Sequence, residues 1–354
     1  MSRFFSPRYA ALAPYTPGEQ PQDQQYVKLN TNESPFPPSP RALAAALERT
    51  RPLNLYSDPD CRELRERLAA LCGVGAESVI VANGSDEVLD FAFRAFCDDA
   101  RPALFPDVTY GFYPVFADVN GLPYREIPLR DGFTLDLDDY RGTPGTVFLA
   151  NPNAPTGKAL PRAEIGAFAA AEPDRVVVVD EAYVDFGAES CVPLAARCDN
   201  LLVVQTFSKS RSMAGARLGF AVGSPELIAD LNALRCSTNP YNVNSATLAL
   251  GAATLEDPDY TRKNCEEIMR TRAYATEKLR ALGFEVPESS ANFVFARSPR
   301  IGGGELYEKL KARGVLVRHF TKARIADYNR ITIGTREQMD ILFAAISDIL
   351  EETP

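Results

Sequence analysis

The sequence predicts an α/β fold with a large three-layer domain, built on a mostly parallel sheet, and a smaller α+β domain. Two segments carry most of this prediction, 176–183 and 201–209. Each is a run of apolar, mostly β-branched residues that ends abruptly in polar side chains. Such runs are typical of strands buried on both faces of a parallel sheet. Strand and helix patterns alternate over 60–252, which indicates right-handed crossover connections.

The elements follow in order. The first 50 or so residues are rich in proline and predict an extended arm and then a short helix. A long helix late in the chain is expected to end at Gly283, since glycine commonly follows a helix. Predicted helices cover 41–49, 61–71, 86–96, 259–282, 304–313 and 336–351. Predicted strands cover 78–82, 146–150, 176–179, 201–204, 292–296, 315–318 and 330–333. The predicted domains are an arm with a helix packing on the small domain (1–52), a large domain (53–250) and a small domain (251–354).

Composition excludes several classes of function. The 354 residues carry 38 basic and 47 acidic side chains, a net charge of −9, which argues against nucleic-acid or anionic-membrane partners. No apolar stretch approaches the roughly 20 residues of a membrane span. The seven cysteines are scattered, and none forms a Cys-x-x-Cys pair. They predict reduced thiols in a cytoplasmic protein. With His319 as the single histidine, neither a metal site nor a Ser-His-Asp mechanism is expected.

Three polar side chains are expected to meet at one edge of the sheet. Asp180 and Tyr183 follow one predicted strand and Lys209 follows the next. Ligands of open α/β sheets bind beyond the carboxyl ends of such strands. A neighbouring amine and carboxylate suit pyridoxal phosphate, because the amine condenses with its aldehyde and the acid keeps the ring nitrogen protonated. Taken singly, a lysine just past a strand end is usually a solvated loop residue, and the aspartate could instead be a helix cap or an ion-pair partner.

Other residues are candidates for binding anions. The segment 81–87 reads as a strand, a glycine turn and a helix start, so the backbone at Ser85 and Asp86 predicts a phosphate site, or simple helix capping. Arg217 lies eight positions after Lys209 and could close on that phosphate.

Two further features concern the ring and the substrate. Tyr110 could stack on a flat ring or belong to the core. Arg318 and Arg330, on predicted strands of the small domain, suit a phosphate or carboxylate substrate, or are ordinary edge-strand arginines.

The segment 151–157, Asn-Pro-Asn-Ala-Pro-Thr-Gly, predicts a rigid turn after a strand.

Taken in this order, the motifs resemble the fold-type I pyridoxal-phosphate aminotransferases, and within them the histidinol-phosphate aminotransferase family, over nearly the whole chain. The matching segments are Pro14–Gly18, Leu29–Pro35, Leu55–Pro59, Pro240–Asn244, Ala291–Phe293 and Arg330–Thr335. The resemblance implies the fold of type I pyridoxal-phosphate transferases.

The resemblance also implies roles for the matching residues. Lys209 would bond to the cofactor and shuttle a proton, Asp180 would pair with the ring nitrogen, and Tyr183 would hydrogen-bond the phenolic oxygen. The other implied contacts are Tyr110 on the ring; Ser85, Asp86, Thr206, Ser208 and Arg217 on the cofactor phosphate; Tyr56 on the phosphate in a neighbouring subunit; Arg318 and Arg330 on the substrate phosphate or the glutamate carboxylates; and Tyr15 and Tyr241 in the side-chain pocket. The role of Tyr56 implies an obligate homodimer.

One position departs from the family pattern. The family usually carries an asparagine that bonds the phenolic oxygen, and here that position is Ala154. Either Asn153 takes over this cofactor contact or Tyr183 bears it alone. Loss of a donor to the phenolate is expected to alter the pKa of the imine without abolishing its formation.

The activity implied by the resemblance is transfer of an amino group from histidinol phosphate to 2-oxoglutarate, a step of histidine biosynthesis. Two alternatives share the scaffold, an aromatic amino-acid aminotransferase and a lyase resembling threonine-phosphate decarboxylase. A regulatory, non-enzymatic module is disfavoured, because the chain has no spare basic domain to bind DNA.

Overall fold

The computed structural model describes residues 2–9, 12–195 and 197–353. Its strands are β1 (Val27–Lys28), β2 (Val79–Ala82), β3 (Ala103–Pro106), β4 (Tyr124–Ile127), β5 (Thr146–Ala150), β6 (Val177–Asp180), β7 (Leu201–Thr206), β8 (Gly219–Val222), β9 (Phe293–Arg297), β10 (Val315–Leu316), β11 (Arg318–His319) and β12 (Tyr328–Thr332). Its α-helices are α1 (Pro40–Glu48), α2 (Arg62–Cys72), α3 (Ser85–Phe96), α4 (Tyr113–Asn120), α5 (Arg162–Ala171), α6 (Val192–Ala195), α7 (Pro225–Thr238), α8 (Ser245–Leu255), α9 (Pro258–Ala281), α10 (Gly303–Ala312) and α11 (Arg336–Glu351).

The largest sheet has seven strands in the order β2-β8-β7-β6-β5-β3-β4. Its pairings are parallel except at β8, which runs antiparallel to both β2 and β7. The carboxyl ends of β5, β6 and β7 therefore reach the same edge of the sheet. The predicted α/β fold with a mostly parallel sheet is confirmed.

The valine run of β6 shows why this sheet forms. Val177 and Val179 belong to the apolar core on one face, and Val178 belongs to the core on the other face, all three with no exposed surface. Burial of a valine side chain stabilises a fold by about 1.5–3 kcal/mol relative to exposure. On the second face Phe93 of α3 stacks on Phe148 of β5, with ring centroids 4.0 Å apart. Helices thus cover both faces, which gives three layers.

A second core lies in the C-terminal part of the chain. An antiparallel sheet of order β11-β12-β9 packs with α9, α10 and α11, and apolar residues such as Phe293 and Ile331 are fully buried between them. The N-terminal arm joins this unit because β1 pairs in parallel with β10. The domain limits at 52 and 250 stay a prediction.

Some elements differ from their predicted form. The expected strand 315–318 is two short strands, β10 and β11, in different sheets. The helix α1, expected to pack on the small domain, packs against α8, and its Ala42 belongs to the core of the large sheet. Its small apolar face, with Ala45 and Ala46, lies against that core. The strands β4 and β8 were not predicted. The strand β4 lacks an apolar run because it is largely exposed at the sheet edge.

Candidate active site

A cavity of about 470 Å³, the inner cavity, opens at the carboxyl edge of β6 and β7. Asp180 ends β6, Lys209 follows β7, and the two strands are adjacent and parallel. Most of the predicted cofactor contacts line this cavity. They are Ser85, Asp86, Tyr110, Asp180, Tyr183, Thr206, Ser208, Lys209 and Arg217. The structure therefore brings the predicted amine and carboxylate into one site.

Asp180 is held in a poor environment for a lone negative charge. Its side chain accepts hydrogen bonds from the Ala182 N–H at 3.1 Å and the Tyr113 hydroxyl at 3.3 Å. The residue is only 5% exposed, and burial raises the pKa of the carboxyl from 3.8 to about 7. A buried carboxylate needs a cationic partner. A protonated ring nitrogen in the cavity would be such a partner.

Lys209 is set up as a nucleophilic amine. Its Nζ donates to the Thr31 carbonyl at 3.3 Å and lies 5.8 Å from the centroid of the Tyr183 ring. Burial, and secondarily the positive charge of Arg330, lower its pKa from 10.5 to about 8. A larger fraction of the molecules then carries an uncharged lysine amine near neutral pH. The uncharged amine is the form that attacks a carbonyl carbon.

The start of α3 forms one end of the inner cavity. Gly84 precedes the helix with φ of 88°, and no side chain caps the first N–H groups. Arg217, also in the left-handed region at φ 53°, extends its guanidinium to Asp86 at 3.1 Å. The hydroxyls of Thr206 and Ser208, 3.0 Å apart, line the same cavity. Free N–H groups, hydroxyls and a guanidinium together suit a phosphate.

The contacts of the 151–157 segment bear on whether Asn153 or Tyr183 takes the cofactor contact that Ala154 cannot make. The Asn153 amide donates to the Val108 carbonyl and the Thr156 hydroxyl, both at 3.0 Å, and accepts from Thr109 at 2.8 Å. The structure thus uses Asn153 to join its own loop to the loop after β3 and does not bring it into the inner cavity, whereas Ala154 lines that cavity. Both prolines of the segment follow cis peptide bonds.

Tyr183 remains the aromatic hydroxyl next to the amine, and it has a partner that the sequence did not reveal. The Asn32 amide nitrogen donates to the Tyr183 hydroxyl at 2.9 Å. Asn32 belongs to the Leu29–Pro35 motif, but it lies 151 positions before Tyr183. No local sequence pattern predicts a contact over that separation.

A second cavity of about 650 Å³, the outer cavity, adjoins the first, with Tyr110 and Ala154 lining both. Tyr15, Arg318 and Arg330 line it, as predicted for substrate contacts. The two arginines are cross-strand partners on β11 and β12, and both guanidinium groups lie under 6 Å from the Phe320 ring centroid.

Both arginines are held in place by backbone carbonyls. Arg318 donates to the Thr16 and Pro17 carbonyls at 2.9 and 3.2 Å, and Arg330 donates to the Asn30 carbonyl at 3.0 Å. Neither forms an ion pair among the described residues. Burial lowers the pKa of Arg330. Two guanidinium groups without a carboxylate partner provide the charge for an anionic substrate group.

Besides Asn153, two predicted residues lie outside both cavities, Tyr56 and Tyr241. Tyr56 is 82% exposed and stacks on Tyr241, which is 41% exposed, with ring centroids 4.4 Å apart. The structure does not bring Tyr241 to the side-chain pocket of this chain. A contact of Tyr56 with a neighbouring subunit stays a prediction.

None of the helices among the described residues is long and apolar enough to cross a membrane. No group of three or more histidine, cysteine or acidic side chains in that part of the chain is arranged to hold a metal ion.

The family model of the class I and II aminotransferases matches residues 24–346. The chain belongs to the class I and II aminotransferases. The aminotransferase is 52% identical over 350 residues to histidinol-phosphate aminotransferase 1 of Bradyrhizobium diazoefficiens, covering 99% of this chain and 100% of the relative. It is 48% identical to the histidinol-phosphate aminotransferase of Acetobacter pasteurianus, covering 99% of each chain. The predicted family is confirmed.

The fold is likewise that of solved aminotransferases. The structure of histidinol-phosphate aminotransferase from Sinorhizobium meliloti in complex with pyridoxal-5'-phosphate superposes with a TM-score of 0.90, at 24% identity and 99% coverage of both chains. Aspartate aminotransferase from Thermus thermophilus with maleate gives a TM-score of 0.85 at 22% identity, covering 98% of this chain and 100% of that one.

The residues of the aminotransferase fit the pyridoxal phosphate of this family. The buried Asp180 has no cationic partner among the described residues, the start of α3 offers uncapped N–H groups, and Lys209 is an amine of lowered pKa. These are the three groups that the ring nitrogen, the phosphate and the aldehyde of the cofactor require.

Proposed function

We propose that this pyridoxal-phosphate enzyme transfers the amino group of histidinol phosphate to 2-oxoglutarate, giving imidazole acetol phosphate and glutamate. The observation that carries the proposal is the pair Arg318 and Arg330. They line the outer cavity, which adjoins the inner cavity of Lys209, and have no carboxylate partner among the described residues. The names of the relatives, which align over the full chain at about half identity, support the same substrate.

The residues of the chain divide the work. When bound, the cofactor would supply an electron sink for the substrate α-carbon and a carrier for the amino group. Lys209 Nζ moves a proton to and from that α-carbon, for which its lowered pKa near 8 is suited. Asp180 holds the proton on the ring nitrogen. Arg318 and Arg330 bind the phosphate of the donor, or a carboxylate of glutamate in the second half of the cycle.

The activity test is a coupled assay of purified protein with histidinol phosphate and 2-oxoglutarate, measuring glutamate. Substitution of Arg330→Lys is expected to lower kcat/KM for histidinol phosphate by roughly 10–100-fold, because a bidentate contact with the phosphate is lost. With histidinol, which lacks the phosphate, the same substitution should matter far less.

Three results would redirect the proposal. Turnover with phenylalanine or tyrosine but not with histidinol phosphate would indicate an aromatic amino-acid aminotransferase. Release of carbon dioxide from threonine phosphate would indicate a lyase. An equal loss for both donors in the Arg330→Lys variant would remove the assigned role of that arginine.

We also propose that the enzyme is a cytoplasmic homodimer. The exposed apolar side chains Leu53, Leu55 and Tyr56 are adjacent in sequence, and such groupings are typical of interfaces. Tyr56 would then contact the cofactor phosphate of the neighbouring subunit. Sedimentation of the wild type and of Tyr56→Phe, with cofactor retention measured in both, tests this: a monomeric wild type would contradict it.

A further inference from the structure

Asn32 has a backbone conformation that needs an explanation. Its φ of 56° lies in the left-handed region, and the residue is only 1% exposed. Asparagine tolerates this region better than most residues, but such strain persists only where surrounding contacts impose it. Here its backbone carbonyl accepts from the Asn292 amide at 3.0 Å, and its N–H donates to the Thr332 hydroxyl at 2.9 Å.

The Thr332 hydroxyl determines which way the Asn32 amide faces. Since this hydroxyl accepts from the Asn32 N–H, its own proton goes to Asn32 Oδ1, 3.1 Å away. The amide nitrogen is then left facing Tyr183 and donates to its hydroxyl at 2.9 Å. Reversal of the amide would force the Thr332 proton to turn away from Asn32, and the described residues offer it no other acceptor.

The direction of this last bond fixes the role of Tyr183. A phenol oxygen that accepts from an amide keeps its own proton for another acceptor. Within the described part of the chain no second hydrogen bond uses the Tyr183 hydroxyl, and the residue lines the inner cavity. Its proton is therefore available to a ligand in that cavity.

The position of Ala154 makes this proton important. Ala154 lines the inner cavity at the position where the family resemblance implies an asparagine donor, and the Asn153 side chain is engaged by Val108, Thr109 and Thr156. We infer that Asn32 is a positioning residue that makes Tyr183 a one-way hydrogen-bond donor to the phenolic oxygen of the cofactor, replacing the donor missing at position 154. The inference rests on the cofactor site described above, whichever amino donor the enzyme uses.

The hydrogen bond from Tyr183 would change the pKa of the nitrogen that links Lys209 to the cofactor. A donor to the phenolic oxygen stabilises its anionic form and competes with the proton on the neighbouring nitrogen that links Lys209 to the cofactor. The pKa of that linkage is therefore lowered by the bond from Tyr183. If the Tyr183 proton turned away, the linkage would hold its proton to a higher pH.

The first test is Asn32→Asp, which keeps the shape and tolerates the same φ. The carboxylate preserves the contacts with Thr332 but presents an acceptor to Tyr183, so the phenol proton turns away from the cavity. The linkage pKa is read from the pH dependence of absorbance of the cofactor-loaded protein without substrate. It is expected to rise by about one to two pH units.

A second pair of variants avoids the added charge. Thr332→Val removes the hydroxyl at nearly constant shape and frees the Asn32 amide to reverse, so the linkage pKa should rise, by less than in Asn32→Asp. Thr332→Ser keeps the hydroxyl and should match the wild type. Equal values for the valine and serine variants would overturn the proposal.

The charge effect of Asn32→Asp is separated in a Tyr183→Phe background. There the aspartate acts only through its charge, so its effect on the linkage pKa should be smaller than with Tyr183 present. An equal effect in both backgrounds would refute the positioning role. Adding Ala154→Asn to Asn32→Asp should return the linkage pKa toward the wild-type value, because it restores a donor. Failure of the wild type to bind the cofactor at Lys209 would instead contradict the proposed function.

Discussion

Replacing Asp180 with asparagine should stabilise the cofactor-free protein at alkaline pH while weakening its hold on the cofactor. The carboxyl is 5% exposed and receives only two hydrogen bonds among the described residues. Burial raises its pKa from 3.8 in the unfolded chain to about 7 in the folded one. The folded state therefore keeps a proton that the unfolded state has already lost across this range.

The sign and size of the effect follow from proton linkage. Where the folded state binds more protons, the free energy of unfolding falls as pH rises. The stabilising contribution is fully present below pH 3.8 and is lost as pH rises through about 7. At about 1.4 kcal/mol per pH unit, the loss totals roughly 4 kcal/mol, of which roughly 2 kcal/mol falls between pH 5.5 and pH 8. The asparagine variant lacks this loss.

The assay is urea unfolding of cofactor-free wild type and Asp180→Asn at about pH 5.5 and about pH 8. The gap in unfolding free energy should move by roughly 2 kcal/mol in favour of the variant, because other groups titrate alike in both. A matched control is Glu181→Gln. Burial raises the pKa of Glu181 only to about 6, and the residue lines neither cavity, so its gap should move by under about 1 kcal/mol. A constant gap for Asp180→Asn would refute the reasoning.

Three further predictions concern the same cavity. The rate at which cofactor attaches to the cofactor-free protein should rise with pH and level off above about 8, because burial lowers the pKa of Lys209 to about 8; a rate still climbing near pH 10 would contradict this. Arg217→Ala should weaken cofactor binding by roughly 10–100-fold through loss of a phosphate contact, with Arg217→Lys intermediate, as measured by spectrophotometric titration. Gly219→Ala should cost about 1–3 kcal/mol in thermal unfolding, because its new Cβ would lie 2.5 Å from the carbonyl carbon of Gly84. Gly215→Ala is the matched control, because a Cβ there would meet no atom within 4 Å. Equal losses of stability in the two variants would contradict the prediction.

The central pair of the site was predictable because it depends on strand pattern alone. Uninterrupted apolar runs end at Asp180 and shortly before Lys209, and parallel neighbours place such ends together. Arg318 and Arg330 were each expected on a strand of the small domain, and they lie opposite each other in an antiparallel ladder. Local periodicity was sufficient wherever the functional side chain follows directly from its strand.

The remaining features depend on contacts between distant parts of the chain. Asn32 and Thr332 are 300 positions apart, and neither lies in a pattern that predicts the other. The Asn153 side chain bonds Val108 and Thr109, which lie some 45 positions earlier in the loop after β3, and composition does not reveal that contact. The helix α1 docks by a face of alanines, whose small side chains suit more than one partner surface. Packing, not periodicity, decided each case.

The short segment 29–32 meets its partners very late in synthesis. Its backbone groups bond Asn292, Arg330 and Thr332, which leave the ribosome some 260 to 300 residues after it. Proteins that fold as they are translated generally complete their N-terminal regions first. Here an early segment of the nascent chain must wait for residues made 300 positions later before Lys209 gains its Thr31 contact in the finished surroundings. A ribosome stalled before β12 would thus carry a nearly complete large sheet but an unfinished catalytic centre.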